Sequence, residues 1–401
     1  MSRKSPLPPP PAPYIAALSA NALLSPDPAR PVAWRLTCLT VACLALGACV
    51  TPPSRSGAST ADAAGSPAAT DADTHAHDHA DASGPTPLTG SLSGDDVAGA
   101  GHDDEPPPSE TGTSIIVSGR PVHVGVPVVT WQDPGGFDGH RETCFFSDAE
   151  LPRSPATGCD TPRRYAERDL DPAKVDLVVL HYDVAWTSRN CFKVLHDLRG
   201  LSCHFLLDVD GTIYQTLDLA LRARHAGGVN DRSVGVEIAH PGPLELTRNL
   251  SDRYTHETDA AGDPDGLVRF DLGPLAPGVR TPDFVVRPAR PAPISGPIHG
   301  RTYTMYDYTQ EQYRALGHLL AALARAFPDL RLDAPRGPDG AVATTTVDPS
   351  RLGPSAGAGV VGHFHVGGHK QDPGPAFDWE RVLTAARALH DAPPTSPGRD
   401  D

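Results

Sequence analysis

The sequence predicts an α/β fold, a central mixed β-sheet flanked by helices. Three observations carry that reading. Residues 175–180 (Val-Asp-Leu-Val-Val-Leu) form a compact apolar strand that stops at His181. Segments 202–207 and 212–216 flank Asp210-Gly211, the pattern of strand, tight turn and strand. Thr309 stands before 310–327, where Leu316, Leu319, Leu320, Leu323 and Phe327 recur at helical spacing under an N-cap. Strands alternating with amphipathic helices imply a sheet covered by helices.

The remaining elements follow in chain order. Residues 115–131 alternate β-branched residues with Gly and Pro, which predicts short strands broken by turns. A short helix is expected over 190–198, closed by Gly200, and a further strand over 233–239. The stretch 241–300 is rich in Pro, Gly and charge and is expected to be a long surface insertion. Val360-Val361-Gly362 is a last short strand leading into His363. No internal repeat is visible.

Composition bounds the rest. In 401 residues, 44 Pro and 38 Gly exceed a fifth of the chain, so part of it should not pack. The formal charge is −15, with 5 basic and 12 acidic residues before Ser114 and −8 beyond it. No basic stripe stands out, which argues against a nucleic-acid partner.

The N-terminal region reads as an export signal. Arg35 precedes the apolar run 36–48, which ends in Leu46-Gly47-Ala48-Cys49. A membrane span needs about 20 apolar residues, so this run is too short. Cysteine after Leu-Gly-Ala resembles a bacterial lipobox, in which Cys49 is diacylated and becomes the mature N-terminus. The Pro-rich residues before Ala33 fit a start codon assigned too early. Val50, rather than Asp, favours sorting to the outer membrane, with the protein facing the periplasm. Residues 50–112 lack aliphatic periodicity and are expected to be a disordered Ala/Asp/His/Pro-rich tether. His75, His77 and His79 within it are either a weak metal site or part of a solvated acidic linker.

Three polar residues near strand ends suggest a metal site: His181, His363 and Asp372. A catalytic zinc takes three N, O or S ligands and keeps a fourth position for water. With 18 histidines, spacing alone does not single these out, and His365 and His369 remain alternatives to His363. Beyond the signal, Cys144, Cys159, Cys191 and Cys203 are an even set in an oxidising compartment. Of three possible pairings, Cys144 with Cys159 and Cys191 with Cys203 is the local one; free buried thiols are the alternative.

Longer motifs add specificity. Val179-Leu180-His181-Tyr182 is followed by Leu201-Ser202-Cys203-His204-Phe205 running on to Asp210-Gly211-Thr212-Ile213-Tyr214-Gln215. Then come Arg224-His225-Ala226-Gly227, Ser233-Val234-Gly235-Val236-Glu237-Ile238 after Asn230, and Gly362-His363 with Lys370-Gln371-Asp372-Pro373-Gly374-Pro375. In this order, over about 174–385, they resemble the type 2 N-acetylmuramoyl-L-alanine amidases, relatives of phage lysozyme-type amidases and animal peptidoglycan recognition proteins.

The resemblance implies an amidase-like sheet with an open zinc groove, in a domain spanning 174–390 that carries the 241–300 insertion. Segment 113–173 would be its N-terminal extension and 391–401 a disordered tail, behind the signal segment 1–49. It implies zinc on His181, His363 and Asp372, with Glu237 and Lys370 as catalytic residues. The implied reaction is hydrolysis of the amide between N-acetylmuramic acid and L-alanine, in peptidoglycan or muropeptides. Some members carry a tyrosine before the strand histidine, where this chain has Cys203; members without it rely on the glutamate, here Glu237. His204 and His225 are expected to line the groove or support the fold. The alternative function is a non-catalytic peptidoglycan-binding module that ties the outer membrane to the wall. Oligomeric state and stem-peptide preference are not legible.

Overall fold

The computed structural model describes residues 112–147, 150–151 and 171–392. Cys49, residues 50–111 with His75, His77 and His79, Cys159 and residues 393–401 lie outside the described residues.

A seven-stranded mixed sheet runs through the protein in the order β1-β2-β5-β4-β6-β3-β11. The strands are β1 (Gly112–Val117), β2 (Arg120–Thr130), β3 (Leu177–Tyr182), β4 (Phe205–Leu207), β5 (Ile213–Gln215), β6 (Ser233–Ile238) and β11 (Val360–Gly362). Neighbours β4, β6, β3 and β11 are mutually parallel, and β5 is antiparallel to β4. The segment 113–173 thus supplies two strands of the main sheet. β2 continues through Gly125 and Pro127, where broken strands were expected. The β1–β2 register slips between Gly112 and Ser114, whose partners are Val128 and His123, so Pro127 has no ladder partner to donate to.

Alternation along the strands divides the core. Val178, Leu180 and Tyr182 of β3 and Val234, Val236 and Ile238 of β6 share a cluster with α2 (Gln310–Ala326) and α4 (Trp379–Asp391). α2 starts at Thr309, whose Oγ accepts from the Gln312 N–H at 3.1 Å while its own N–H donates to Gln312 Oε1 at 3.0 Å. Leu316, Leu319, Leu320, Leu323 and Phe327 are buried, each contributing about 1.5–3 kcal/mol by burial. α4 reaches Asp391, so the folded part extends to where a disordered tail was expected to begin.

The opposite face is covered differently. Leu177, Val179 and Val361 pack under loops carrying Val347 and Leu352. Leu206 and Tyr214 pack under Phe137, Phe146, Phe192, Cys191 and Cys203. The expected helix over 190–198 is observed as α1 (Ser188–Phe192), capped by Thr187, running into a π-helical turn over Lys193–Leu198. Cys191 and Cys203 are free and buried, so of the two alternatives the local bridge is not formed and the free buried thiols are what the fold holds. Burial raises both thiols well above their ordinary range, and they pack as small apolar groups beside the aromatic cluster. Cys144 is disulfide-bonded.

The 241–300 stretch is more than a surface insertion. It forms β7 (Tyr254–Glu257), β8 (Leu267–Phe270) and β9 (Ile294–Ile298), the last paired with β10 (Arg301–Met305) across the expected boundary. Leu250, Tyr254, Val268, Phe270, Leu272, Val279 and Val286 build a second core against Val209, Ala239 and Tyr306. Its average composition conceals these spaced apolar positions. No helix among the described residues is long and apolar enough to cross a membrane.

Candidate metal centre

β3 and β6 place their odd-numbered residues on the face away from α2 and α4. In the parallel ladder Leu177 pairs with Ser233, Val179 with Gly235 and His181 with Glu237. Register partners share a face, so His181 and Glu237 project together. β11 leads directly into α3 (His363–Val366), and His363 is its first residue. The following loop folds back, and the Phe364 N–H donates to the Asp372 carbonyl at 3.2 Å. Tyr308 O–H donates to the Pro373 carbonyl at 2.8 Å, and Tyr313 O–H approaches the Ala376 carbonyl at 3.3 Å. These bonds fix Asp372 against the start of α2.

Three donor atoms converge as a result. His181 Nδ1 lies 3.0 Å from His363 Nδ1 and 2.9 Å from Asp372 Oδ2, and His363 Nδ1 lies 2.9 Å from the same oxygen. Among the described residues this is the one group of His, Cys, Asp and Glu side chains placed to share a metal ion. Burial, aided by the charge of His363, holds His181 down to about 4, so its ring is a neutral imidazole. Burial alone would raise Asp372, but the charge of His363 and bonds from both imidazoles hold it well below the usual carboxylate range.

The donor set fits zinc. His181 Nδ1 and His363 Nδ1 lie 3.0 Å apart and both abut the same Asp372 oxygen, so an N–H on each would set two hydrogens against each other, while His181 Nε2 faces His225 Nδ1 at 3.1 Å. A cation among the three inward atoms removes that conflict. Two imidazoles and one carboxylate are a set zinc accepts, and bonds of about 2.0–2.1 Å in a tetrahedron place donors roughly 3.3 Å apart. The observed separations of 2.9–3.0 Å are close to that edge.

The other named residues fall into place around this centre. Glu237 is buried, and its Oε2 has no hydrogen-bond partner. Burial, then the charges of Asp372 and Asp183, push its carboxyl well above the ordinary range, against the pull of Arg199 and Lys370. Lys370 is half-buried, and its charge acts on both His181 and Glu237. His365 is not in the donor group: its Nδ1 accepts from the Gly362 N–H at 2.9 Å and its Nε2 reaches the Ala343 carbonyl at 2.7 Å. His369 is exposed and outside the donor group. His204 is likewise spent on backbone, accepting from Gly235 N–H at 3.0 Å and donating to the Leu221 carbonyl at 2.9 Å. Cys203 lies beside Gly235, not among the donors.

Two features escape a sequence reading. His225 touches His181, which only the fold of the loop before β6 reveals. Asp183, two residues past His181, clasps the chain: its Oδ1 accepts from Ala185, Trp186 and His240 N–H groups at 2.9–3.0 Å. Burial raises its carboxyl to about 7.

The family described as N-acetylmuramoyl-L-alanine amidase matches residues 171–375. Among solved structures, an AmpD derivative is 18% identical, with 57% of this chain and 92% of that chain covered at a TM-score of 0.27. AmpDh3 from Pseudomonas aeruginosa, in complex with anhydromuramic pentapeptide, is 20% identical, with 60% and 66% covered at a TM-score of 0.28. The amidase AmiD from E. coli, in complex with anhydro-N-acetylmuramic acid-L-Ala-D-gamma-Glu-L-Lys, is 17% identical, with 56% and 61% covered at a TM-score of 0.27. No curated protein matches the chain.

Proposed function

We propose, from the premise that the chain belongs to the N-acetylmuramoyl-L-alanine amidase family, that it hydrolyses the amide between N-acetylmuramic acid and L-alanine in peptidoglycan or muropeptides. The observation that carries this reading is the convergence of His181, His363 and Asp372 beside an unpartnered Glu237 oxygen. Zinc held by those three residues would polarise the scissile carbonyl and lower the pKa of a water to about 7.

The chain's own residues supply the proton chemistry. Glu237 takes the proton of the attacking water and returns it to the nitrogen of L-alanine as the amide breaks. A carboxyl raised by burial and by neighbouring carboxylates is the better base for this, because uptake and release then lie closer to neutral pH. Its free Oε2 leaves a lone pair for that water. Lys370 places positive charge near the carbonyl oxygen, where negative charge develops. We further propose that the enzyme works from the outer membrane, anchored through Cys49 and facing the periplasm, with the wall as its partner.

The test is digestion of purified muropeptides by zinc-loaded and by chelated protein, read by mass spectrometry. The expected products of the loaded protein are a free stem peptide beginning with L-alanine and a peptide-free muramyl sugar, both absent after chelation. Muropeptides bound but left intact by the zinc-loaded protein would replace this reading with the binding-module one.

A further inference from the structure

The imidazole behind His181 has a built environment of its own. His225 Nδ1 lies 3.1 Å from His181 Nε2, and His225 Nε2 lies 3.2 Å from Ser233 Oγ. The three residues therefore form one line from β3 through the loop before β6 to the first residue of β6. Gly235 makes the line sterically feasible. A Cβ there would stand 2.6 Å from His225 Cγ and 2.8 Å from Cys203 Sγ, closer than side-chain carbons approach. The glycine of Ser-Val-Gly-Val-Glu is thus the seat of the His225 ring.

We propose that His225, oriented by Ser233, is a positioning residue that fixes the tautomer of His181 and so sets the zinc affinity of the site. His181 can give its Nδ1 lone pair to a metal only when its proton sits on Nε2. That proton needs an acceptor, and His225 Nδ1 is the atom facing it. His225 Nδ1 is an acceptor only when its own proton sits on Nε2, where Ser233 Oγ lies 3.2 Å away and can receive it. Metal-bound histidines commonly donate their second N–H to a carboxylate or a carbonyl. Here a second imidazole takes that part, and a serine fixes the second imidazole in turn. The inference rests on the zinc reading of the three-donor site, though not on catalysis.

The test is zinc affinity by competition with a chromophoric chelator, together with the melting temperature of the metal-free protein. His225→Phe keeps a flat ring over Gly235 and removes the acceptor. His225→Asn brings a carbonyl oxygen near the Nδ1 position. Loss of such an outer partner commonly weakens metal binding about 10–100-fold. That loss is expected for His225→Phe with the metal-free melting temperature little changed, and His225→Asn should recover most of it. Ser233→Ala, which leaves the ring in place, should show a smaller loss in the same direction and decides the matter if His225→Phe does not fold. Unchanged zinc affinity in the folded variants, or losses that track the metal-free melting temperature, would overturn the proposal. A wild-type protein that takes up no zinc would instead remove the metal reading beneath it.

Discussion

His181 and Glu237 stand directly opposite each other in the parallel β3–β6 ladder, on the face turned away from α2 and α4. One backbone register therefore sets the distance between the proposed metal ligand and the proposed base, and no loop movement intervenes. Neither residue can be shifted along its strand without turning its neighbours from one core to the other.

Glu237→Gln preserves shape and leaves the three donors intact. Turnover of muropeptides should fall about 10²–10⁴-fold, the usual worth of a positioned acid–base group. Zinc content and muropeptide affinity should persist. Cleavage, metal content and melting temperature belong on one sample, since a purely structural role would lower all three. Normal turnover would remove Glu237 from the mechanism.

Alanine in place of His181, His363 or Asp372 should strip zinc from the purified protein, because two donors remain of three. His365→Ala should behave oppositely. It leaves the Gly362 N–H and the Ala343 carbonyl without partners, at a cost of about 1–3 kcal/mol each, while zinc stays bound. Metal analysis beside denaturant unfolding separates the two patterns. Zinc retained in His363→Ala and lost in His365→Ala would reassign the ligand.

What the sequence made legible was whatever a short period encodes. The 175–180 strand, the Thr309 cap and the α2 stripe all depend on neighbours within a few residues, and each is present. His181, His363 and Asp372 are legible through motif order, and the structure brings them together, because strand ends are where a parallel sheet gathers distant residues. The second core under 241–300 was not legible, since Leu250, Val268 and Val286 bury against partners far along the chain, Val209 and Tyr306 among them. Nor was the free state of Cys191 and Cys203, for sequence proximity carries no information on whether two buried thiols face each other. The His181–His225 contact depends on the missing side chain at Gly235, a vacancy that only packing reveals.

Gly374 lies two residues past Asp372 with φ +84°, and a Cβ there would stand 2.4 Å from Met305 Sδ on β10. Gly374→Ala should cost about 1–3 kcal/mol through backbone strain, with a further cost from displacing Met305. Zinc affinity should fall with stability, because the same loop carries Asp372. Adding Met305→Ala should relieve the contact and leave the strain, so recovery should be partial. Full stability in the single variant, by denaturant unfolding, would count against this account of the loop.

Cys49→Ser tests the anchoring proposal. Fractionated cells should show the wild-type chain with the membranes and the variant in the soluble fraction. Myristoylation-type single chains hold proteins only marginally, so the diacylated cysteine of a lipobox is the group expected to matter. Membrane association that survives the substitution would end the proposal for this residue.

His240 provides the pH prediction. It is buried, its Nδ1 accepts from the Gly242 N–H at 2.9 Å, and its Nε2 faces the Tyr306 carbonyl at 3.1 Å. The neutral ring satisfies both contacts, whereas a second proton on Nδ1 would meet an N–H. Burial accordingly lowers its pKa to about 3 in the folded protein, against about 6.5 in an unfolded chain. Between those values the unfolded state binds a proton that the folded state refuses. Its contribution is complete above about pH 6.5 and declines as pH falls toward about 3. Buried Asp183, Asp208 and Glu237 are raised and act with the opposite sign, so the profile of the whole protein does not isolate this effect. The informative quantity is the stability difference between the wild type and His240→Gln, which can still accept and donate but does not titrate. Measured on metal-free protein, that difference should move in favour of the variant by about 2 kcal/mol between pH 7 and pH 5, following 1.36 kcal/mol per pH unit below the unfolded pKa. A difference independent of pH over that range would show that His240 is protonated as readily folded as unfolded.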